Sequence, residues 1–289
     1  MGNKMRTIFY DFKGNVDLDL PSRRRLKKRL GDYDTLAEYT FCAIRDFEAN
    51  WNEQCSFEEY VSAKAKLRDV NLRGGIMLPN HESALIKSFL VNSHAMLEDF
   101  IDQFRYDIRN LINKNFRLDD NEGLSKADKL IKGLHKIGIF PIFPEWLIPV
   151  LNYYRLVRNS VAHNDKEKDK CLQTYKEIDK SNLYSDYELF KGLAPNHPEA
   201  LDLNDFYFYS ACIKHFANFL TMSLKGKVIW EQLGSIHENF DVKKFKKGTK
   251  PIPLINMTLR EYNHIVTKAE IESILAYIKE QKTIMLDES

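Results

Sequence analysis

The stretch SALIKSFLVNSHAMLEDFIDQFRYDIRNLIN, residues 83–113, sets the architecture of this chain. Its apolar residues Leu85, Phe89, Met96, Leu97, Phe100, Phe104, Ile108 and Leu111 recur at three- and four-residue intervals, the signature of one buried helical face. At ~1.5 Å per residue such a helix is about 45 Å long, enough for the spine of a bundle.

Helical signals continue on both sides of it. Upstream, Asp34 is an N-cap candidate for a stripe of Leu36, Tyr39, Ala43, Phe47 and Trp51. Ser56 and Glu59 read as a capping box ahead of Tyr60, Ala63, Leu67 and Val70. Downstream, Ser125 with Asp128 opens a short helix that Gly138 closes. A further helix begins at Pro144 or Pro149, a polar loop is expected over 164–202, and Asn204 or Asp205 opens a strongly aromatic helix. Strand signals are confined to the ends: a hairpin over residues 7–20 and a short edge strand at Pro251–Met257. Thr267 with Glu270 caps a last helix. The expectation is a mostly α fold in three parts. These are an N-terminal extension over 1–79 with a hairpin and two helices, a helical bundle over 80–222, and a small α+β appendage over 223–289.

Bulk properties narrow the function. With 289 residues, 44% hydrophobic and 12% aromatic, the chain has ample material for a core. A net charge of +2 excludes wholesale neutralisation of nucleic-acid phosphates, so any such contact must come from local patches. The basic runs at 23–29 and 243–250, the latter with Phe245, are candidates, although charge runs are usually solvated faces. Cys42, Cys55, Cys171 and Cys212 are scattered without a C-x-x-C pair, which argues against a zinc site or disulfide framework and for reduced thiols in the cytoplasm. No signal peptide is evident at the start, and prolines and Glu145 break up the most apolar stretch, 137–151, so no membrane span is expected. No cofactor or metal motif occurs.

The chemistry-bearing segment is LNYYRLVRNSVAHND, residues 151–165. At ~100° per residue, Leu147, Val150, Leu151, Tyr154, Val157 and Val161 form one apolar stripe, and Arg158 falls at its edge. A guanidinium there is partly desolvated and calls for an anion. Asn152, Asn159 and His163 share a polar face, with Asn159 and His163 about 6 Å apart, and Arg155 widens the positive surface. An arginine fork holds a phosphate, and a histidine moves protons near neutral pH. The plainer reading is a helix C-terminus, with His163 on the last carbonyls and Arg158 paired to an acid of a neighbouring helix. On the long helix, Glu98 could neutralise Arg158 or orient His163, or form only an exposed helix pair with His94. Asp99 and Asp102 are similar candidates.

The string RNSVAH, with its helix, resembles the R-N-x-x-x-H signature of the HEPN superfamily. The preceding long helix bearing SHAMLEDF and the aromatic helix at 205–222 are similar to the flanking core helices, so the resemblance covers residues 80–222. It implies a metal-independent endoribonuclease of the toxin or antiviral-defence kind. Arg158 would hold the scissile phosphate, His163 would transfer the proton, and Asn159 would position one or the other. Glu98 and Arg155 would support them. It further implies a homodimer with a composite site, and an antitoxin or defence-system partner. A non-catalytic adaptor for dimerisation or RNA binding is the alternative. Some relatives carry a tyrosine two residues after the histidine as a target for antitoxin modification; here that residue is Asp165, which speaks against that route.

Overall fold

The computed structural model describes residues 18–51, 55–71, 81–162, 167–230, 255, 259–260, 262 and 267–287. Among the described residues the regular structure is helical, and no strand is present. In chain order the helices are α1 Pro21–Ala49, α2 Phe57–Leu67, α3 His81–Leu111, α4 Lys126–Lys136, α5 Leu147–Ala162, α6 Lys168–Glu177, α7 Lys180–Asp186, α8 Leu203–Ser223 and α9 Lys268–Asp287. A 3-10 turn over Glu188–Phe190 lies between α7 and α8. The fold is mostly α, as the periodicity requires.

The spine forms where its apolar spacing puts it. Along α3, Phe89, Leu97, Phe100, Phe104, Ile108 and Leu111 are buried, joined by Ile86, Leu90 and Ile101. Against this face pack α1, α5 and α8, with α4 across one flank. The aromatic residues of α8 fill the centre: Phe206, Phe208, Tyr209 and Phe216 are fully buried, and Phe206 meets Phe89 at a ring separation of 5.3 Å. Each such ring contributes roughly 1.5–3 kcal/mol by leaving water.

The first helix departs from expectation. It begins at Pro21, not after Asp34, and runs straight through the basic residues 23–29. Proline suits a first turn because its missing N–H would have been unpaired there anyway. Asp107 of α3 completes the end from another helix, accepting a hydrogen bond from the Ser22 N–H at 3.2 Å. Starting earlier changes which face is buried: Leu26, Leu30, Ala37 and Phe41 enter the core, while Leu36 and Tyr39 are 51% and 73% exposed. Asp34 pairs with Lys214 of α8 at 2.5 Å instead of capping. The basic run is mostly a solvated face, with Arg24, Arg25, Lys27, Lys28 and Arg29 exposed, but one of its members is taken into the fold. Arg23 is buried between Asp19, at 2.7 Å, and the Asn218 amide oxygen, at 2.6 Å, and Arg29 pairs with Asp99. Far from standing apart, α1 shares one core with α3 and α8.

Three further corrections follow the same logic. The expected loop over 164–202 contains α6, α7 and the 3-10 turn, held by Cys171, Ile178, Leu183, Tyr187 and Phe190 in the core while lysines and acids face out. The cap of α8 is Asp202, whose carboxylate accepts from the Asn204 and Asp205 N–H groups, so Asn204 and Asp205 lie inside the helix. Leu67 and Val70, expected on a buried stripe, are 79% and 55% exposed. The capping boxes at Ser56–Glu59 and Thr267–Glu270 and the cap of α4 at Ser125 form as anticipated.

At the ends, residues 7–17 of the expected hairpin lie outside the described residues, and 18–20 are not strand. Of the expected edge strand only Ile255 is described; it is helical and buried. The basic run 243–250 also lies outside the described residues. No helix of the described residues is long and apolar enough to cross a membrane.

Candidate functional site

Two adjacent tyrosines fix α5. Tyr153 donates to the Asn196 carbonyl at 2.5 Å, and Tyr154 donates to Asp205 Oδ1 at 2.8 Å. Asp205 is itself buried and accepts from the Asn196 and Asp202 backbone N–H groups, both at 2.9 Å. This cluster pins the middle of α5 to the start of α8. Val150, Leu151, Tyr154 and Val157 are buried as the stripe requires, whereas Val161, its last member, is 42% exposed. The helix thus emerges from the core at the point where its polar residues gather.

Arg158 sits at that emergence, its side chain 23% exposed. Its Nη2 donates to Glu98 Oε2 of α3 at 3.0 Å, and its Nη1 donates to Asn159 Oδ1 at 3.0 Å. Asn159 in turn donates through Nδ2 to Glu167 Oε2 at 2.8 Å. The guanidinium is therefore oriented from two sides, with an acid of a neighbouring helix as its main partner. Arg155, one turn earlier, donates from Nε and Nη2 to Asn152 Oδ1 at 3.0 and 2.8 Å. His163 and Asp165 lie outside the described residues.

Glu98 connects this surface to the interior. His94, one turn before it on α3, is buried, not part of an exposed pair; its Nε2 faces Glu98 Oε1 at 3.5 Å, the long end of hydrogen-bonding range. On its other side, His94 Nδ1 lies 2.6 Å from the Tyr209 hydroxyl of α8. Burial pushes the Tyr209 phenol well above its ordinary range, so it keeps its proton. Burial also lowers the His94 pKa, against the opposing pull of Glu98, so the ring is neutral near pH 7. Valence then assigns the direction of the network: the phenol O–H donates to Nδ1, leaving the ring hydrogen on Nε2, toward Glu98. Glu98 is held below the usual carboxylate range by hydrogen bonding from His94 and by the charges of Arg158 and Lys126, with burial working against them. An ionised Glu98 is what Arg158 requires.

The remaining sequence candidates are engaged elsewhere. Asp99 holds Arg29, and Asp102 holds Lys126 at 2.6 Å. Tyr209, Glu167 and Lys126 were not singled out from sequence; Tyr209 reads there as one more core aromatic. Among the described residues no group of three or more His, Cys, Asp or Glu side chains could hold a metal ion, and all four cysteines are free. Compared with protein-family models, curated proteins and solved structures, the chain gives no match.

Proposed function

We propose that this chain is a HEPN-type, metal-independent endoribonuclease, built on a HEPN-like bundle over 80–222 and working as a cytoplasmic homodimer in bacterial toxin or antiviral defence. The observation that carries this reading is Arg158: a partly exposed guanidinium, pre-oriented by Glu98 and Asn159 where an RNSVAH helix leaves the core. In the reaction the RNA 2′-oxygen attacks the adjacent phosphorus while a base takes its proton. The P–O2′ bond forms, the P–O5′ bond breaks, and an acid delivers a proton to the departing 5′-oxygen. The products are a 2′,3′-cyclic phosphate and a 5′-hydroxyl. Arg158 stabilises the charge growing on the non-bridging oxygens, and His163 transfers protons. One chain brings one such histidine, so two copies across a two-fold axis supply acid and base.

The test is RNA cleavage with chelator present. Wild type is expected to yield cyclic-phosphate ends, and Arg158→Ala and His163→Ala to lose at least a hundredfold in rate. Intact RNA with wild type, or undiminished cleavage by His163→Ala, would overturn the reading.

One observation favours a second reading, a non-catalytic adaptor for dimerisation or RNA binding. Both terminal nitrogens of Arg158 already have partners within the chain, as a purely structural tie would. Expression in a bacterial host separates the two. A nuclease slows growth and Arg158→Ala relieves it, whereas an adaptor is harmless in both forms.

A further inference from the structure

Beside the Arg158 site lies a narrow cleft between α3, the start of α4 and α5, lined in part by His94, Glu98, Lys126, Asn152 and Arg155. Its charges are unevenly matched. Glu98 is taken by Arg158, at 3.0 Å, and Lys126 shares Asp102. Arg155 has no carboxylate within 4.0 Å among the described residues; its bonds go to Asn152 Oδ1, a neutral acceptor. A half-buried guanidinium without an anion is costly, and an anionic ligand removes that cost. The donors left over are of one kind: Nη1 of Arg155 and Nδ2 of Asn152 have no partner among the described residues, and Lys126 has N–H groups beyond the one given to Asp102.

We infer that Arg155, Asn152 and Lys126 form a second phosphate subsite, which holds a backbone phosphate of single-stranded RNA next to the one at Arg158. The inference rests on the ribonuclease reading above. Size limits how it binds: a cavity of about 20 Å³ takes at most one phosphate oxygen, so the phosphate sits at the mouth of the cleft and no nucleobase enters. Arg155 precedes Arg158 by three residues, about 4.5 Å along the helix axis, so the two arginines are neighbours on α5. A subsite of this kind reads the backbone and not the sequence, so it sets affinity and register without base preference.

The experiment measures binding of a fluorescent 2′-fluoro-substituted oligoribonucleotide, which lacks the attacking hydroxyl, by anisotropy over a series of salt concentrations. Wild type, Arg155→Gln, Arg155→Lys and Lys126→Gln are compared, with thermal melting to establish that each is folded. Arg155→Gln is expected to weaken binding about fivefold and to lower the salt slope by about 0.7, the contribution of one single-strand phosphate contact. Arg155→Lys should keep most of the slope. If wild type binds and both glutamine variants match it in affinity and slope, the subsite is wrong while the ribonuclease reading stands. If wild type neither binds this probe nor cleaves the corresponding RNA, the ribonuclease reading fails and takes the subsite with it. Should Arg155→Gln not fold, Lys126→Gln decides the same question, with the same fall in slope expected if the subsite exists and none if it does not.

Discussion

Arg158 owes its orientation to a chain of single hydrogen bonds that begins in the core, at Tyr209, and passes through His94 and Glu98. Removing the first donor exposes how much the chain matters. Tyr209→Phe leaves His94 Nδ1 buried without a partner, and the expected loss is about 1–3 kcal/mol in urea unfolding at pH 7.5; an unchanged midpoint would show that the phenol is only packing. The same histidine sets a pH dependence. Its folded pKa lies below the ordinary value of 6.5, so the unfolded chain binds the proton more readily. Its contribution to stability is therefore complete above about 6.5 and declines as pH falls through that value toward the folded pKa. His94→Gln should flatten the fall in the urea midpoint between pH 7.5 and 5.5, and a slope equal to that of wild type would exclude His94 as its source. In the sequence, Arg158 at the seam was legible from helical spacing, whereas Glu98 was one acidic candidate beside Asp99 and Asp102, and only the packing of α3 on α5 selects it. The role of His94 was not legible. It falls between Leu90 and Leu97 on the buried stripe, but a histidine is counted as polar in a periodicity argument, and its partner comes from a helix 115 residues away in the chain.

Helix ends in this molecule are completed by neighbouring elements as well as by their own caps. The start of α1 takes its acceptor from Asp107 of α3, whose carboxyl is pushed up to about 6 by burial, against the Ser22 N–H bond and the charges of Arg24 and Arg25. A raised carboxyl pKa means that the folded state binds the proton more tightly. The stabilisation is complete below about 3.8 and is lost as pH rises through about 6. Asp107→Asn keeps an acceptor for the Ser22 N–H and removes the ionisation, so its melting temperature should exceed that of wild type at pH 8 and converge with it by pH 4. Equal melting temperatures at both values would refute this. The second completed end is the Asp202–Asp205 start of α8, to which Tyr154 ties α5. Tyr154→Phe removes one of the bonds satisfying a buried carboxylate, at an expected cost of about 1.5–3 kcal/mol in urea unfolding, while the Asn196 and Asp202 N–H bonds persist. These connections explain which boundaries were legible. Ser56 and Ser125 cap within a few residues of themselves, so spacing reveals them. The acceptor for α1 lies 85 residues away, and Asp34, a good local cap, is claimed by Lys214 instead.

At the scale of the whole molecule, the helical class follows from sequence periodicity, but the way the parts join does not. Residues 23–29 read as a solvated basic run and mostly are one, but Arg23 is buried against Asp19 and Asn218 while Leu26 and Leu30 enter the core, so α1 packs with α3 and α8. The same limit applies to the proposed site, since one chain offers Arg158 with its supports but only one RNSVAH string. If acid and base are the two histidines of a dimer, activity depends on both copies at once. Mixing wild type with increasing proportions of His163→Ala under conditions of subunit exchange then dilutes active pairs faster than active chains. The cleavage rate at constant total protein should fall as the square of the wild-type fraction, so that at half wild type about a quarter of the rate remains. A linear fall, with half the rate remaining, would mean that a single chain's histidine suffices and that the composite centre does not exist. Sedimentation of the same mixtures checks that exchange has produced dimers of unchanged size.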